Sequence, residues 1–259
     1  MNILEEIVAY KRRELAEAKG ARPLAQLEKA LKRRLPGRNF QEAIHHPGRL
    51  SLIAEFKRAS PSAGQIRREA DPVQVAAAYQ QAGAQAISVL TDSKFFSGSL
   101  EDLTRVKEKV SLPVLRKDFL LEEYQVVEAA EAGADAVLLI AAILPRPVLG
   151  RLIETALDLS LDALVEVHTE REMGEALEAE ARILGVNNRD LATLQVDLRI
   201  TGSLIRKIPD DRIRVSESGI HSPGDVEFVR RQGADAVLIG EDLMSAQNVG
   251  TRIKEIMNW

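Results

Sequence analysis

The sequence predicts an α/β fold, a single (β/α)8 barrel spanning residues 1–259 with a helical extension over about the first 45 residues, and three observations carry that prediction. A helix-to-strand junction recurs as Gln81-Ala-Gly-Ala-Gln-Ala-Ile-Ser-Val-Leu90, Glu131-Ala-Gly-Ala-Asp-Ala-Val-Leu-Leu-Ile140 and Arg231-Gln-Gly-Ala-Asp-Ala-Val-Leu-Ile-Gly240. Its glycines, Gly83, Gly133 and Gly233, stand 50 and 100 residues apart. Those spacings are two and four units of about 25 residues, the length of one strand, one helix and two short loops. Eight apolar runs fit the same ruler, and eight parallel strands close a barrel. Finally, Pro, Gly and Ser are scattered singly along all 259 residues, so nothing reads as a linker between two smaller domains.

In chain order, residues Asn2 to Ala18 and Leu24 to Leu35 read as two helices of the extension, which either cover the barrel bottom or lie beside the active-site face. The expected strands are Ser51–Phe56, Ala86–Thr91, Val114–Arg116, Ala136–Ala141, Asp162–Val167, Ile183–Asn187, Arg212–Ser216 and Ala236–Ile239. Their continuous apolar character suits strands covered on both faces, as in parallel sheets. Between them, Pro72–Ala82, Glu123–Ala132, Arg146–Asp158, Glu170–Glu180 and Pro223–Gln232 carry apolar residues at helical spacing. Each recurrent Gly falls just past a helix, where a positive φ ends the helix without steric cost.

Composition removes several chemistries. There is no cysteine, which excludes disulfide scaffolds, iron–sulfur clusters and thiol nucleophiles. The four histidines share no metal-ligand spacing, so no metal is expected. A net charge of −4 with no basic block argues against nucleic-acid or anionic-membrane binding. The longest apolar run, Ala136 to Leu144, is nine residues, about half of the roughly 20 that a membrane helix needs. Glu5 and Glu6 stand where a secretory signal is basic and then apolar, so a cytosolic protein is expected.

In a barrel, reacting groups belong at the C-terminal strand ends. The residues there are Glu55, Lys57, Ser60 and Ser62 after the first strand, Lys117 and Phe119 after the third and Glu166 and His168 around the end of the fifth. Asn187 and Arg189 follow the sixth strand, Glu217, Ser218 and Gly219 the seventh, and Gly240 and Glu241 the eighth. Two subsets separate. Ser60, Ser62, Ser218, Gly219, Gly240 and Glu241 read as a phosphate cradle, since small residues let backbone N–H groups approach the oxygens. Glu55, Lys57, Lys117, Glu166 and Glu217 read as an acid–base cluster, in which a desolvated lysine can donate a proton near neutral pH; the plainer alternative is a structural ring of ion pairs. Phe96 and Phe119 lie in mouth loops and suggest one wall of an aromatic pocket. No histidine is assigned direct chemistry: His45 and His46 precede the first strand, His168 caps or orients, and His221 follows the seventh loop.

Five ordered segments then stop being anonymous. Glu55-Phe-Lys57-Arg-Ala-Ser-Pro-Ser-Ala-Gly64, Lys117-Asp-Phe119, Val165-Glu-Val167, Gly185-Val-Asn-Asn-Arg-Asp-Leu191 and Ser216-Glu-Ser-Gly-Ile220 closely resemble indole-3-glycerol-phosphate synthase of tryptophan biosynthesis, over essentially the whole chain and including Phe96-Ser-Gly-Ser99. The resemblance implies a TIM-barrel lyase that converts 1-(2-carboxyphenylamino)-1-deoxyribulose 5-phosphate to indole-3-glycerol phosphate, releasing carbon dioxide and water without metal or organic cofactor. It implies Lys117 as general acid at the ketone and Glu166 in the dehydration half. Lys57 would hold a carboxylate or phosphate and exchange proton-transfer roles with Lys117, while Glu55 and Glu217 assist. Asn187 and Arg189 would bind polar groups, Phe96, Phe119 and Leu191 would pack the ring, and Ser60, Ser218, Gly219, Gly240 and the backbone of Glu241 would bind phosphate. A monomer or weak homodimer is expected. The competing readings are a sugar-phosphate isomerase, which has no evident need for two lysines plus Glu166, and a binder without catalysis.

Overall fold

Alternation of inward and outward residues along eight short strands fixes the architecture. The computed structural model describes residues 2–31 and 37–259. Strands β1 (Ser51–Phe56), β2 (Ala86–Leu90), β3 (Val114–Lys117), β4 (Ala136–Ile140), β5 (Asp162–Val167), β6 (Ile183–Asn187), β7 (Ile213–Glu217) and β8 (Ala236–Ile239) are all parallel, and they close as β1-β8-β7-β6-β5-β4-β3-β2. Every strand agrees with the expected set to within one residue. The shifts in β3 and β7 carry Lys117 and Glu217 into the ladders, where Lys117 registers with Leu90 and Glu217 with Asn187.

Successive strand residues face opposite sides. Ile53, Ala86, Leu115, Ala136, Leu138, Leu164, Ile183, Val215 and Leu238 fill the barrel interior, whereas Leu52, Ala54, Ile87, Val137, Val165, Leu184 and Val237 pack outward under the helices. A fully buried Leu or Ile contributes about 2 kcal/mol each, so the lower layers are strongly held. The same parity continues upward into charged residues: Ile53 leads to Glu55 and Lys57, Leu115 to Lys117, Leu164 to Glu166, Ile183 through Gly185 to Asn187, and Val215 to Glu217.

Helix ends follow the expected chemistry. Gly133 and Gly233 end their helices at φ 95° and 102°, and Gly83 holds φ 95° two residues past the last residue of its helix. The extension divides between both ends of the barrel. Helix α1 (Ile3–Ala21) starts at an Asn2–Glu5 capping box and runs past the expected end at Ala18, because the Tyr124 hydroxyl donates to the carbonyls of Ala18 and Arg22 and ties down its last turn. It lies on the mouth side, with Ile7 in the interior cluster and the buried Lys11 ammonium 2.9 Å from both Asp92 and Asp118. Helix α2 is seen over Leu24–Leu31, and the expected continuation to residue 35 falls outside the described residues. Helix α3 (Phe40–Ile44) was not anticipated; it plugs the floor with Phe40 and Ile44, and the Gln41 N–H donates to Asp162 at the start of β5.

The barrel helices are α4 (Pro72–Gln81), α7 (Glu123–Ala132), α8 (Arg146–Asp158), α9 (Glu170–Glu178) and α11 (Pro223–Gln232), in the expected places. Further helices α5 (Ser93–Phe96), α6 (Leu100–Lys109), α10 (Arg199–Leu204), α12 (Glu241–Ser245) and α13 (Val249–Met257) complete the set among the described residues. No helix among them is long and apolar enough to cross a membrane.

Candidate active site

The charged top layer surrounds a cleft with about 1070 Å3 of empty space, partly open to solvent, and all sixteen residues given a binding or catalytic role from the sequence line it. Lys117 Nζ stands 3.4 Å from Glu166 Oε2 and 3.7 Å from Glu217 Oε2, and Lys57 Nζ is 2.8 Å from Glu55 Oε1. The carboxylates are buried and the two ammonium groups nearly so, at 15% and 13% exposure. Neither oxygen of Glu217 has a hydrogen-bond partner.

Two glycines make this density of charge feasible. A Cβ at Gly185 would overlap Glu217 Oε1, and one at Gly240 would overlap Glu55 Oε1. The glycines in β6 and after β8 are therefore cut-outs for carboxylates on neighbouring strands.

Electrostatics departs from the sequence expectation at Lys117. Burial alone would lower its pKa toward neutrality, but Glu166, Glu217 and Glu55 outweigh burial and raise it, so the ammonium is held charged. At Glu55 burial opposes ionisation, and Lys57 and Lys117 overcome it, holding its pKa below the usual carboxylate range. Glu217 goes the other way. Burial pushes it up, Lys117 pulls it down, and Glu166 with Glu55 push again, leaving it at about 8.

The remaining walls divide by chemistry. Phe96 and Phe119 lie with ring centroids 6.2 Å apart, and Leu191 joins them on the inner apolar cluster. Ile3, Leu4 and Ile7 of α1 line the cleft as well. Sequence reasoning left α1 unplaced, because an amphipathic pattern shows that a face is buried and not what it is buried against. Opposite, Ser218 and Gly219 adopt φ 66° and 77°, turning the chain after β7 beside Gly240 and the first residue of α12. Buried Asn188, unassigned from the sequence, holds that turn by donating to the carbonyls of Glu217 and Ser218 and accepting from Thr201. Ser60 Oγ lies 3.2 Å from Ser62 Oγ and accepts from the Ala63 N–H. Asn187 Oδ1 accepts from the Arg189 N–H, and the Arg189 guanidinium is 3.3 Å from Glu241 Oε2. His168 sits behind Glu166, outside the cleft lining, while exposed His221 reaches the rim. Among the described residues, no group of three or more His, Asp or Glu side chains is arranged to hold a metal ion.

Comparison with known proteins adds relatives to this geometry. The family model described as indole-3-glycerol phosphate synthase matches residues 4–256. A protein of that name from Acetivibrio thermocellus is 43% identical over 257 residues, covering 98% of each chain, and one from Chlorobium luteolum is 46% identical over 96% of this chain and 95% of its own. Among solved structures, thiamine phosphate pyrophosphorylase from Pyrococcus furiosus superposes with a TM-score of 0.62 at 18% identity over 81% of this chain and 94% of its own. A 3-hexulose-6-phosphate synthase gives 0.64 at 16% over 81% of this chain and 99% of its own. At those identities the two structures bear on the fold alone.

Proposed function

We infer the roles of the mouth residues from one premise: the chain belongs to the indole-3-glycerol phosphate synthase family. It is a carboxy-lyase of tryptophan biosynthesis, acting on a small phosphorylated substrate, 1-(2-carboxyphenylamino)-1-deoxyribulose 5-phosphate. The single observation that carries the catalytic proposal is the Lys117 ammonium held charged between Glu166 and Glu217 at the centre of the cleft.

In the first half, Lys117 donates a proton to the ketone oxygen as the ring carbon bearing the carboxylate attacks the ketone carbon. A carbon–carbon bond forms, and the carboxylate then leaves as carbon dioxide, its bonding pair restoring the aromatic ring. In the second half, the new hydroxyl leaves as water with a second proton, drawn from Lys57, or from Lys117 once it has regained a proton from solvent. Glu166 stabilises the positive charge on the anilino nitrogen and accepts the proton lost from the adjacent carbon. Glu55 orients Lys57 through their 2.8 Å contact, and Glu217 buffers Lys117. Asn187 and Arg189 bind substrate polar groups. Arg189 exchanges Glu241 for the anthranilate carboxylate, which suits its fork.

Phe96, Phe119 and Leu191 pack the ring. Ser60, Ser218, Gly219, Gly240 and the Glu241 N–H take the phosphate with Lys57; the Glu241 carboxylate itself repels an anion. No metal or organic cofactor enters this scheme. The reading extends to one unit over residues 1–259, in a cytosolic monomer or weak homodimer that binds neither nucleic acid nor membrane; sedimentation at two protein concentrations tests the oligomeric part.

The purified protein is expected to convert the substrate with the appearance of indole fluorescence. Lys117→Ala is expected to lower kcat by about 1000-fold or more while substrate affinity stays within about tenfold, since removing a proton donor acts on the transition state. Near-normal turnover in that variant refutes the assignment.

A further inference from the structure

His168 follows β5 and leads into α9, and it reaches the acid–base cluster only through Glu166. Its backbone N–H donates to Glu172 Oε2 at 2.8 Å, its ring Nδ1 lies 3.3 Å from the same oxygen, and its Nε2 lies 3.5 Å from Glu166 Oε1. The ring thus lies between two carboxylates: it is hydrogen-bonded to Glu172 in the first turn of the helix, and its Nε2 faces Glu166 Oε1 on the strand at 3.5 Å, a charge contact in which neither atom makes a hydrogen bond. Glu166 is divided in turn: Oε2 faces Lys117 and the cleft, and Oε1 faces the imidazole.

A neutral imidazole has one N–H and one lone pair. In this pocket either tautomer points its lone pair at a carboxylate oxygen, and only the imidazolium offers an N–H to both. The side chain is 13% exposed, so solvent screens the interaction weakly. Other charges act on the ring from elements around it: Glu217 on β7 favours the cation, and His168 in turn lowers the proton affinity of Asp190 in the loop after β6. Lys117 faces the far oxygen of Glu166.

We propose that His168, clamped as an imidazolium by Glu172, is a positioning residue that keeps Glu166 ionised and aims its other oxygen, the one beside Lys117, into the cleft. The proposal rests on the role given above to Glu166 as proton acceptor in dehydration. Burial disfavours the His168 cation, but Glu172 and Glu166 outweigh burial and raise its pKa above the ordinary value, in the direction the geometry requires. When His168 loses its proton, Glu166 Oε1 faces a lone pair in place of an N–H.

Two measurements test this. In the pH profile of kcat/KM followed by indole fluorescence, His168→Gln is expected to move the acidic limb upward by about one pH unit. At pH values below the wild-type limb the loss is then about tenfold, with KM at high pH within about twofold of wild type. Glu172→Gln should move the limb the same way by less. Independently of turnover, the His168 ring is titrated by NMR in the wild type and in Glu166→Gln, where loss of the facing carboxylate should lower its pKa. A His168→Gln profile that superimposes on wild type overturns the proposal, and so does a His168 titration indifferent to Glu166→Gln. Full turnover in Glu166→Gln would instead remove the role assigned to Glu166, and the ring titration would still read the coupling.

Discussion

Two buried lysines stand at opposite ends of the barrel, and each faces acidic side chains in very different ways. At the floor, Lys107 Nζ lies 2.6 Å from Asp135 Oδ1; that oxygen also accepts the Arg38 N–H at 2.7 Å, and Oδ2 accepts the Val114 N–H at 2.8 Å. At the mouth, Lys117 stands 3.4 and 3.7 Å from two glutamates, and Glu217 has no hydrogen-bond donor at either oxygen. The floor pair is saturated and serves the fold. The mouth pair is under-coordinated, so its unused capacity is available to a ketone, a hydroxyl or a carboxylate arriving with the substrate. Under-satisfied buried charge is costly to keep, and the strongly packed lower layers of the barrel offset that cost.

The floor half of the contrast carries the largest expected effect. Lys107→Met leaves a buried carboxylate without its cation and is expected to lower unfolding free energy by about 3–5 kcal/mol, measured by urea denaturation. Turnover per folded molecule should be unchanged. A Lys107→Met protein with wild-type stability would break the contrast at once.

A second variant probes the space left for the mouth carboxylates. Gly185→Ala drives a methyl group into Glu217 Oε1 and is expected to reduce kcat about 100-fold, roughly 2.7 kcal/mol. Full activity would mean that the position of Glu217 does not matter.

Asp118 sharpens the contrast, because it neighbours Lys117 yet is saturated like the floor pair. Its carboxylate receives Lys11, Arg116, the Thr91 hydroxyl and the Phe119 N–H. Burial works against its ionisation, but Arg116 and Lys11 prevail and lower its pKa to about 2. A folded-state value below the unfolded one of about 3.9 means stability that is present above pH 4 and lost as pH falls toward 2, about 2 kcal/mol in all. The stability difference between wild type and Asp118→Asn should shrink by that amount over this window; a constant difference would show that the network is not what holds Asp118.

The smallest effect is expected at the Ser218–Gly219 turn, to which phosphate binding is proposed above. Gly219→Val places a side chain against Val196 at a positive φ and should weaken substrate and inorganic phosphate together by about tenfold, measured by calorimetry. Loss of substrate binding alone would move the phosphate elsewhere.

Much of this contrast is legible in the chain. Alternation along the strands carries Ile53 to Glu55 and Leu164 to Glu166, and the Gly83, Gly133 and Gly233 junctions set the repeat that brings those ends to one mouth. What escaped is whatever depends on packing between elements. Helix α1 has an apolar face in sequence, but only the contacts of Ile7 and Lys11 set it over the cleft. Gly185 reads as an ordinary strand residue until the carboxylate of Glu217, 32 positions later, is seen to need its space. His168 reads from the sequence only as a residue that caps or orients beside a strand-end carboxylate; that its ring lies between Glu166 and Glu172 depends on packing that spacing does not give. The raised pKa of Lys117 escaped for a similar reason: its sign depends on three distances that spacing along the chain does not give.

If the mouth charges are held for the substrate and not for the fold, the unfolding free energy of Lys117→Met stays close to that of wild type. A change within about 1 kcal/mol of wild type is expected, because the burial cost of the Lys117 ammonium is relieved together with its ion pairs, and Glu217, already pushed up by burial, can take a proton in place of its cation. A loss of about 3–5 kcal/mol, equal to that expected for Lys107→Met, would contradict it and make the mouth a structural ring of ion pairs.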